Sequence, residues 1–197
     1  MSKYYTRDAD GHGWLVVKYE DGSTYPPLPQ YTLVEQADFK DERVYFKILN
    51  GRSKDKIASL TYENALKYFS DAKGKYGEPA KLYFNRTRGL LWYGTNKQSE
   101  AAISCRLYAE NPPSVGLFEL EIPDEIHPKG DSYLDYSKYA TTWFRIGHHG
   151  DRFLHCGNAT AGCVTVTDLE QWTNIYNHLI SRRRGDYSVG TIEISNR

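Results

Sequence analysis

From Lys81 onward the chain is cut into short apolar runs, each of strand length and each bounded by glycine or proline: "KLYFNRTRGLLWYG", "SVGLFELEIPD", "TTWFRIG", "RFLHCG" and "GCVTV". Runs this short cannot each nucleate a stable helix, whereas they suit strands joined by tight turns. The first is a hairpin turning at Thr87-Arg88-Gly89, and the second ends at Pro123, which has no N–H for a ladder. A sheet closed into a sandwich or barrel is the architecture this grammar supports.

The period changes once near the C-terminus. "TDLEQWTNIYNHLISRRRGD" places Leu169, Trp172, Ile175, Tyr176 and Leu179 at helical spacing behind a Thr167/Glu170 capping box, with Arg182, Arg183 and Arg184 at the helix end and Gly185 as its stop. "YSVGTIEIS" then returns to a strand with Ile192 and Ile194 on one face. The expected fold is therefore mainly β, with one or two helices.

Residues 1–76 carry their own signals. "GWLVVKYEDGSTY" reads as a hairpin about Asp21-Gly22, and "RVYFKIL" alternates Val44, Phe46 and Ile48 as a strand. "TYENALKYFSDAKGKYG" reads as a helix capped by Thr61, with Leu66 and Phe69 on one face and Gly74 as its end. An α+β extension over 1–76 followed by a main β domain over 77–197 is the expected division.

Charge narrows the partners. Twenty-five basic and twenty-five acidic residues cancel, so no global field draws the 197-residue chain to nucleic acid or an anionic membrane. No stretch of about eighteen apolar residues is present, so no transmembrane segment is expected, and the first residues lack the apolar core of a secretory signal. Three cysteines, Cys105, Cys156 and Cys163, leave at least one thiol unpaired, which directs attention to thiol chemistry.

"RFLHCGNATAGCV" holds the candidate site. A thiol becomes a nucleophile when an imidazole takes its proton and N–H groups wait for the oxyanion. His155 near the end of one run and Cys163 at the start of the next are joined by a turn that could bring them together. Gly162 permits a tight backbone, so the Gly162 and Cys163 amides are expected oxyanion donors. Cys156 alternates to the opposite side of the strand from His155 and reads as an inert core thiol, as does Cys105. A third group should orient His155: His148, His149, Asp151 or a backbone carbonyl in "GHHGD" could do so, and His149 is the preferred side chain. Arg152 or Arg145 could meet a substrate carboxylate bidentately. His127 and Tyr133 lie in a long connection of the kind that forms a lid.

These residues resemble a family. "FLHCGNATAGCVTV", with the preceding hairpin and the "PPSVGLFELEIPD" strand, is similar to the catalytic domain of L,D-transpeptidases, the YkuD-type cysteine enzymes of peptidoglycan. The resemblance covers roughly residues 80–197. It implies a strand-rich core and acylation of Cys163 by a peptidoglycan stem peptide. Thr160 stands at the motif's Ser/Thr position and joins Arg152, Arg145 and Tyr133 as an implied substrate contact. Ala161 stands where the family has a second histidine, and Thr165 replaces its usual arginine. The short His155-to-Cys163 spacing is closer to compact phage and secreted antibacterial members. That likeness implies transpeptidation or carboxypeptidase action without metal or cofactor, a chain made in the cytoplasm that acts in the periplasm or cell wall after non-classical secretion, and a cognate immunity protein. Two other readings stay open: a zinc module using His148, His149, His155, Cys156 and Cys163, and a non-catalytic wall- or carbohydrate-binding β domain using exposed tyrosines and tryptophans.

Overall fold

A computed structural model describes residues 2–72, 76–94 and 102–196. The chain is mainly β and divides into two compact units, one of Met1–Tyr76 with Asp124–Ile126, the other of Gly77–Pro123 with His127–Arg197. No helix among the described residues is long and apolar enough to cross a membrane.

The first unit contains β1 (Lys3–Thr6), β2 (Trp14–Leu15), β3 (Lys18–Tyr19), β4 (Leu28–Pro29), β5 (Leu33–Lys40), β6 (Arg43–Ile48), β7 (Ile57–Thr61), α1 (Tyr62–Tyr68) and β8 (Phe69–Asp71). Six strands form one antiparallel sheet in the order β3-β7-β6-β5-β1-β8. The alternation of β6 is what builds its core: Val44, Phe46 and Ile48 are buried with Val34, Ala58 and Leu60.

Two local expectations change here. Asp21-Gly22 does make a turn, with Ser23 N donating to Asp21 Oδ1 (2.9 Å), but no return strand follows. β3 pairs with β7 instead, because Pro26 and Pro27 cannot continue a ladder. The helix is capped by Thr61 as expected, Asn64 N donating to its hydroxyl (3.3 Å), yet it ends at Tyr68. Phe69 leaves it to pair with Thr6 on the edge of β1, so Ala65 and Phe69 are buried while Leu66 stays exposed. Gly74, the expected stop, lies outside the described residues.

The second unit contains β9 (Ala80–Asn85), β10 (Leu90–Tyr93), β11 (Ile103–Arg106), β12 (Gly116–Glu121), β13 (Phe144–Arg145), β14 (Phe153–Cys156), β15 (Val164–Val166), α2 (Trp172–Ile180) and β16 (Ser188–Ser195). Its eight-stranded sheet runs β12-β16-β9-β10-β11-β15-β14-β13. The two end strands approach each other through a Leu120–Ile146 bridge and a bond from Gly147 N to Glu119 O (2.8 Å), so the sheet is nearly closed into a barrel. Two neighbouring pairs are parallel, β16 with β9 and β14 with β15. The second of these positions the site.

Helix α2 buries Trp172, Ile175, Tyr176, Leu179 and Ile180, the stripe its spacing predicts. It starts later than the capping box implies. Thr167 donates its hydroxyl to Ser104 O (3.2 Å) and is drawn into the sheet, and a 3-10 turn at Leu169–Gln171 precedes the helix. At the other end the arginines turn inward: Arg183 is buried and donates Nη1 to Ile180 O and Arg182 O (both 2.7 Å), closing the terminal carbonyls.

Candidate active site

Parallel pairing of β14 and β15 sets His155 beside Thr165 and Leu154 beside Val164. Side chains alternate, so one face of the pair carries Phe153, His155, Cys163 and Thr165, while the other carries Leu154, Cys156, Val164 and Val166. The sulfur and the imidazole named from sequence thus share a face. Trp143 is their common neighbour. Its indole stacks on His155 (centroids 4.2 Å apart, planes 20° apart) and clusters with Phe153 and Cys163. Its Nε1 is held by Ala140 O (2.9 Å), and His127 stacks on it at 4.3 Å.

His155 is held by its own strand. Nδ1 lies 2.8 Å from Cys156 O, which can only accept, so the Nδ1–H tautomer is present and Nε2 keeps a lone pair. That lone pair meets the Thr165 hydroxyl at 3.1 Å. Burial, with His127 and Lys129 adding positive charge, lowers the imidazole pKa to about 4, so it is a neutral base at pH 7.

Cys163 is placed by different contacts. Its Sγ accepts from Phe153 N (3.4 Å) and its thiol donates to Asp151 O (3.7 Å). Burial raises its pKa, while the Phe153 N–H bond and the charges of Arg152 and Lys129 pull the other way. The resting pair is therefore thiol and neutral imidazole. At 8% and 5% exposure, Cys163 and His155 are covered but not sealed, and Trp143 and Phe153 form the apolar part of the cover.

The other predicted site residues find different employment. His149 is exposed on the turn after β13 and does not orient His155, because the Cys156 carbonyl has that role. His148 lies between two carboxylates, Nε2 at 2.8 Å from Glu119 and Nδ1 at 2.9 Å from Glu121. Arg145 is buried, paired with Glu121 (3.2 Å), bonded to Gly150 O and stacked on Phe153, which removes it from any substrate carboxylate. Arg152 bridges two loops, Nη1 to Gly162 O (2.9 Å) and Nη2 to Asn111 Oδ1 (2.7 Å).

The expected oxyanion donors are also occupied. Thr160 Oγ1 accepts from Cys163 N (3.1 Å) and Gly162 N (3.4 Å), making Thr160 the internal tie of the turn. Gly162 sits at φ 119°, where an added Cβ would meet Asn111 O at 2.9 Å. Tyr133 supports the same turn, its hydroxyl accepting from Asn158 N (3.0 Å) and its ring lying against Gly157.

Two participants were not singled out as such by sequence reasoning, Thr165 and Trp143. Thr165 follows from a parallel register that no periodicity reveals. Trp143 is one of several strand-flanking aromatics, and nothing local marks it.

The zinc set does not assemble. Cys156 points to the opposite face from His155 and Cys163, and no three of these five residues lie within reach of one ion among the described residues. The sugar-stacking reading loses three of its four tryptophans, since Trp14, Trp143 and Trp172 are buried and Trp92 is half-buried.

Fold and site together define a class: a mainly β domain with a thiol and a neutral imidazole on one face of a parallel strand pair. No family model and no curated protein matches the chain. Among solved structures it is similar to L,D-transpeptidase 1 of Mycobacterium tuberculosis, at 12% identity and a TM-score of 0.42, over 78% of this chain and 70% of that one. It is similar also to an L,D-transpeptidase from Mycobacterium tuberculosis H37Rv, at 10% identity and a TM-score of 0.39, over 92% and 76%.

Proposed function

We propose that the chain is a cysteine acyltransferase or peptidase of the L,D-transpeptidase kind, acting on peptidoglycan stem peptides through an acyl-enzyme on Cys163. One observation carries the reading: Cys163 and His155 stand on the same face against Trp143, with His155 Nδ1–H tied to a carbonyl and Nε2 accepting from the Thr165 hydroxyl. The sequence resemblance of residues 80–197 supplies the substrate class.

In this mechanism Cys163 gives its proton to His155 Nε2 and the thiolate attacks an amide carbonyl. Thr165 assists by turning. Against the neutral ring its hydroxyl donates to Nε2. Against the imidazolium it accepts from Nε2–H and directs its own hydrogen to Ala159 O, 3.5 Å away. The positive charges of Arg152 and Lys129 favour the thiolate that makes the attack. The leaving amine takes the proton back from His155. Water then releases the acyl group in a carboxypeptidase cycle, or an acceptor amine does so in transfer.

Incubation with purified muropeptides and mass analysis of the products tests the assignment. Loss of a terminal D-amino acid marks hydrolysis, and a dimer or an exchanged residue marks transfer. The reading fails if wild type and Cys163→Ala give the same products. The compact spacing of the motif supports a narrower role as a secreted antibacterial effector paired with an immunity protein. Toxicity to a bacterial host that appears on periplasmic but not cytoplasmic expression, and that needs Cys163, is the expected result.

A further inference from the structure

The second unit holds a cleft that the chemistry above does not use. It is lined by Glu78, Ala80, Lys81 and Tyr83 around β9 and by His178 and Arg182 around the end of α2, with a volume near 830 Å³. None of these residues takes part in the thiol site. In the sheet, β10 and β11 separate β9 from β15.

Three observations bear on what the cleft takes. Among the described lining residues basic groups outnumber acidic ones: Arg184 at one margin is paired with Glu119 (3.3 Å), and Lys81 and Arg182 stand with Glu78 as the lining carboxylate. Arg182 is fixed as well as charged, since one arm of its guanidinium is bonded to His178 O. Beside these cations, the Nε2 of His178 is buried and has no hydrogen-bond partner among the described residues, a cost a folded chain normally avoids. Tyr93 covers the ring at 4.8 Å and holds it in place.

We propose that this cleft is a binding site for a small organic anion, whose carboxylate or phosphate lies between Lys81 and Arg182 while its uncharged body lies over Tyr83 and bonds His178 Nε2. The size is that of sites for small ligands, in the range of about 300–1,000 Å³. Burial and the neighbouring Arg182 lower the His178 pKa to about 4, so the ring meets its ligand as a neutral hydrogen-bonding group.

Calorimetric titration of the full chain with glucuronate, glucose 6-phosphate, inorganic phosphate and neutral glucose tests this. Saturable binding of at least one of the two sugar anions, none of glucose, and a loss of about tenfold or more in affinity for both Lys81→Ala and Tyr83→Ala are expected. The two sugar anions distinguish carboxylate from phosphate recognition. Equal binding of inorganic phosphate and the sugar anions overturns the part assigned to Tyr83 and His178. No saturable binding of any anion, or affinities unchanged in Lys81→Ala, overturns the site. Cys163→Ala binds the anion as the wild type does, so this outcome is separable from that of the muropeptide assay.

Discussion

The two faces of the β14–β15 pair carry two cysteines in different surroundings. On one, Cys156 is 1% exposed among Leu154, Val164 and Val166, and burial pushes its thiol up to about 12. On the other, Cys163 is also buried, but an N–H bond and two cations work against the upward push. Both belong to one short segment, and the strand's alternation is what separates them. What surrounds a thiol thus depends on which side of the pleat it faces as much as on how deeply it is buried.

The strongest way to break that comparison is to remove each sulfur. On the proposed function, Cys163→Ala should abolish product formation from muropeptides, a loss of at least about a thousandfold for a nucleophile. Cys156→Ala keeps the carbonyl that orients His155 and instead costs about 1–2 kcal/mol, seen as a lower melting temperature. Alkylation by iodoacetamide with mass mapping should label Cys163 well before Cys156; the reverse order would overturn the assignment.

His155→Gln removes the base, with an expected fall of about a hundredfold to ten-thousandfold in turnover. It also changes stability. The folded pKa of His155 lies near 4, below its ordinary value of 6.5, so the unfolded chain binds more protons between those values. Stability should therefore fall as pH drops through that window, by on the order of 3 kcal/mol from this group, and flatten below it. Chemical denaturation from pH 7 to pH 4 should show this decline, and His155→Gln should remove the share that this group supplies. His178 contributes in the same direction.

Smaller effects sharpen the picture. Gly162→Ala forces a side chain into φ 119° against Asn111 O and should cost about 1–3 kcal/mol. Thr165→Val removes the hydroxyl from Nε2 and should slow the reaction about tenfold, with Thr165→Ser restoring most of the rate. Equal rates for valine and serine would show that Thr165 only fills space.

Much of the strand grammar was legible because alternation and glycine-bounded runs are local. β6, the β9–β10 hairpin, β12 and the stripe of α2 follow from it. The failures mark where distant partners win. The turn at Asp21-Gly22 has no return strand because Pro26 and Pro27 intervene, α1 gives up Phe69 to the edge of β1, and Thr167 caps no helix because Ser104 holds it. At the site, His155 and Cys163 could be named from residue chemistry and spacing. Their neighbours could not. Arg145 and Arg152 are committed to Glu121 and Asn111, residues distant in the chain.

By itself the sequence determined that the chain would be mainly β, which cysteine stands next to a glycine in a turn, and that an imidazole lies within one loop of it. Those are properties of pattern and short separation. Only the tertiary structure decided that β14 and β15 run parallel, that Thr165 and a carbonyl hold the imidazole's two nitrogens, and that Trp143 covers the pair. Register and burial arise from contacts between segments far apart in the chain, and no local window contains them.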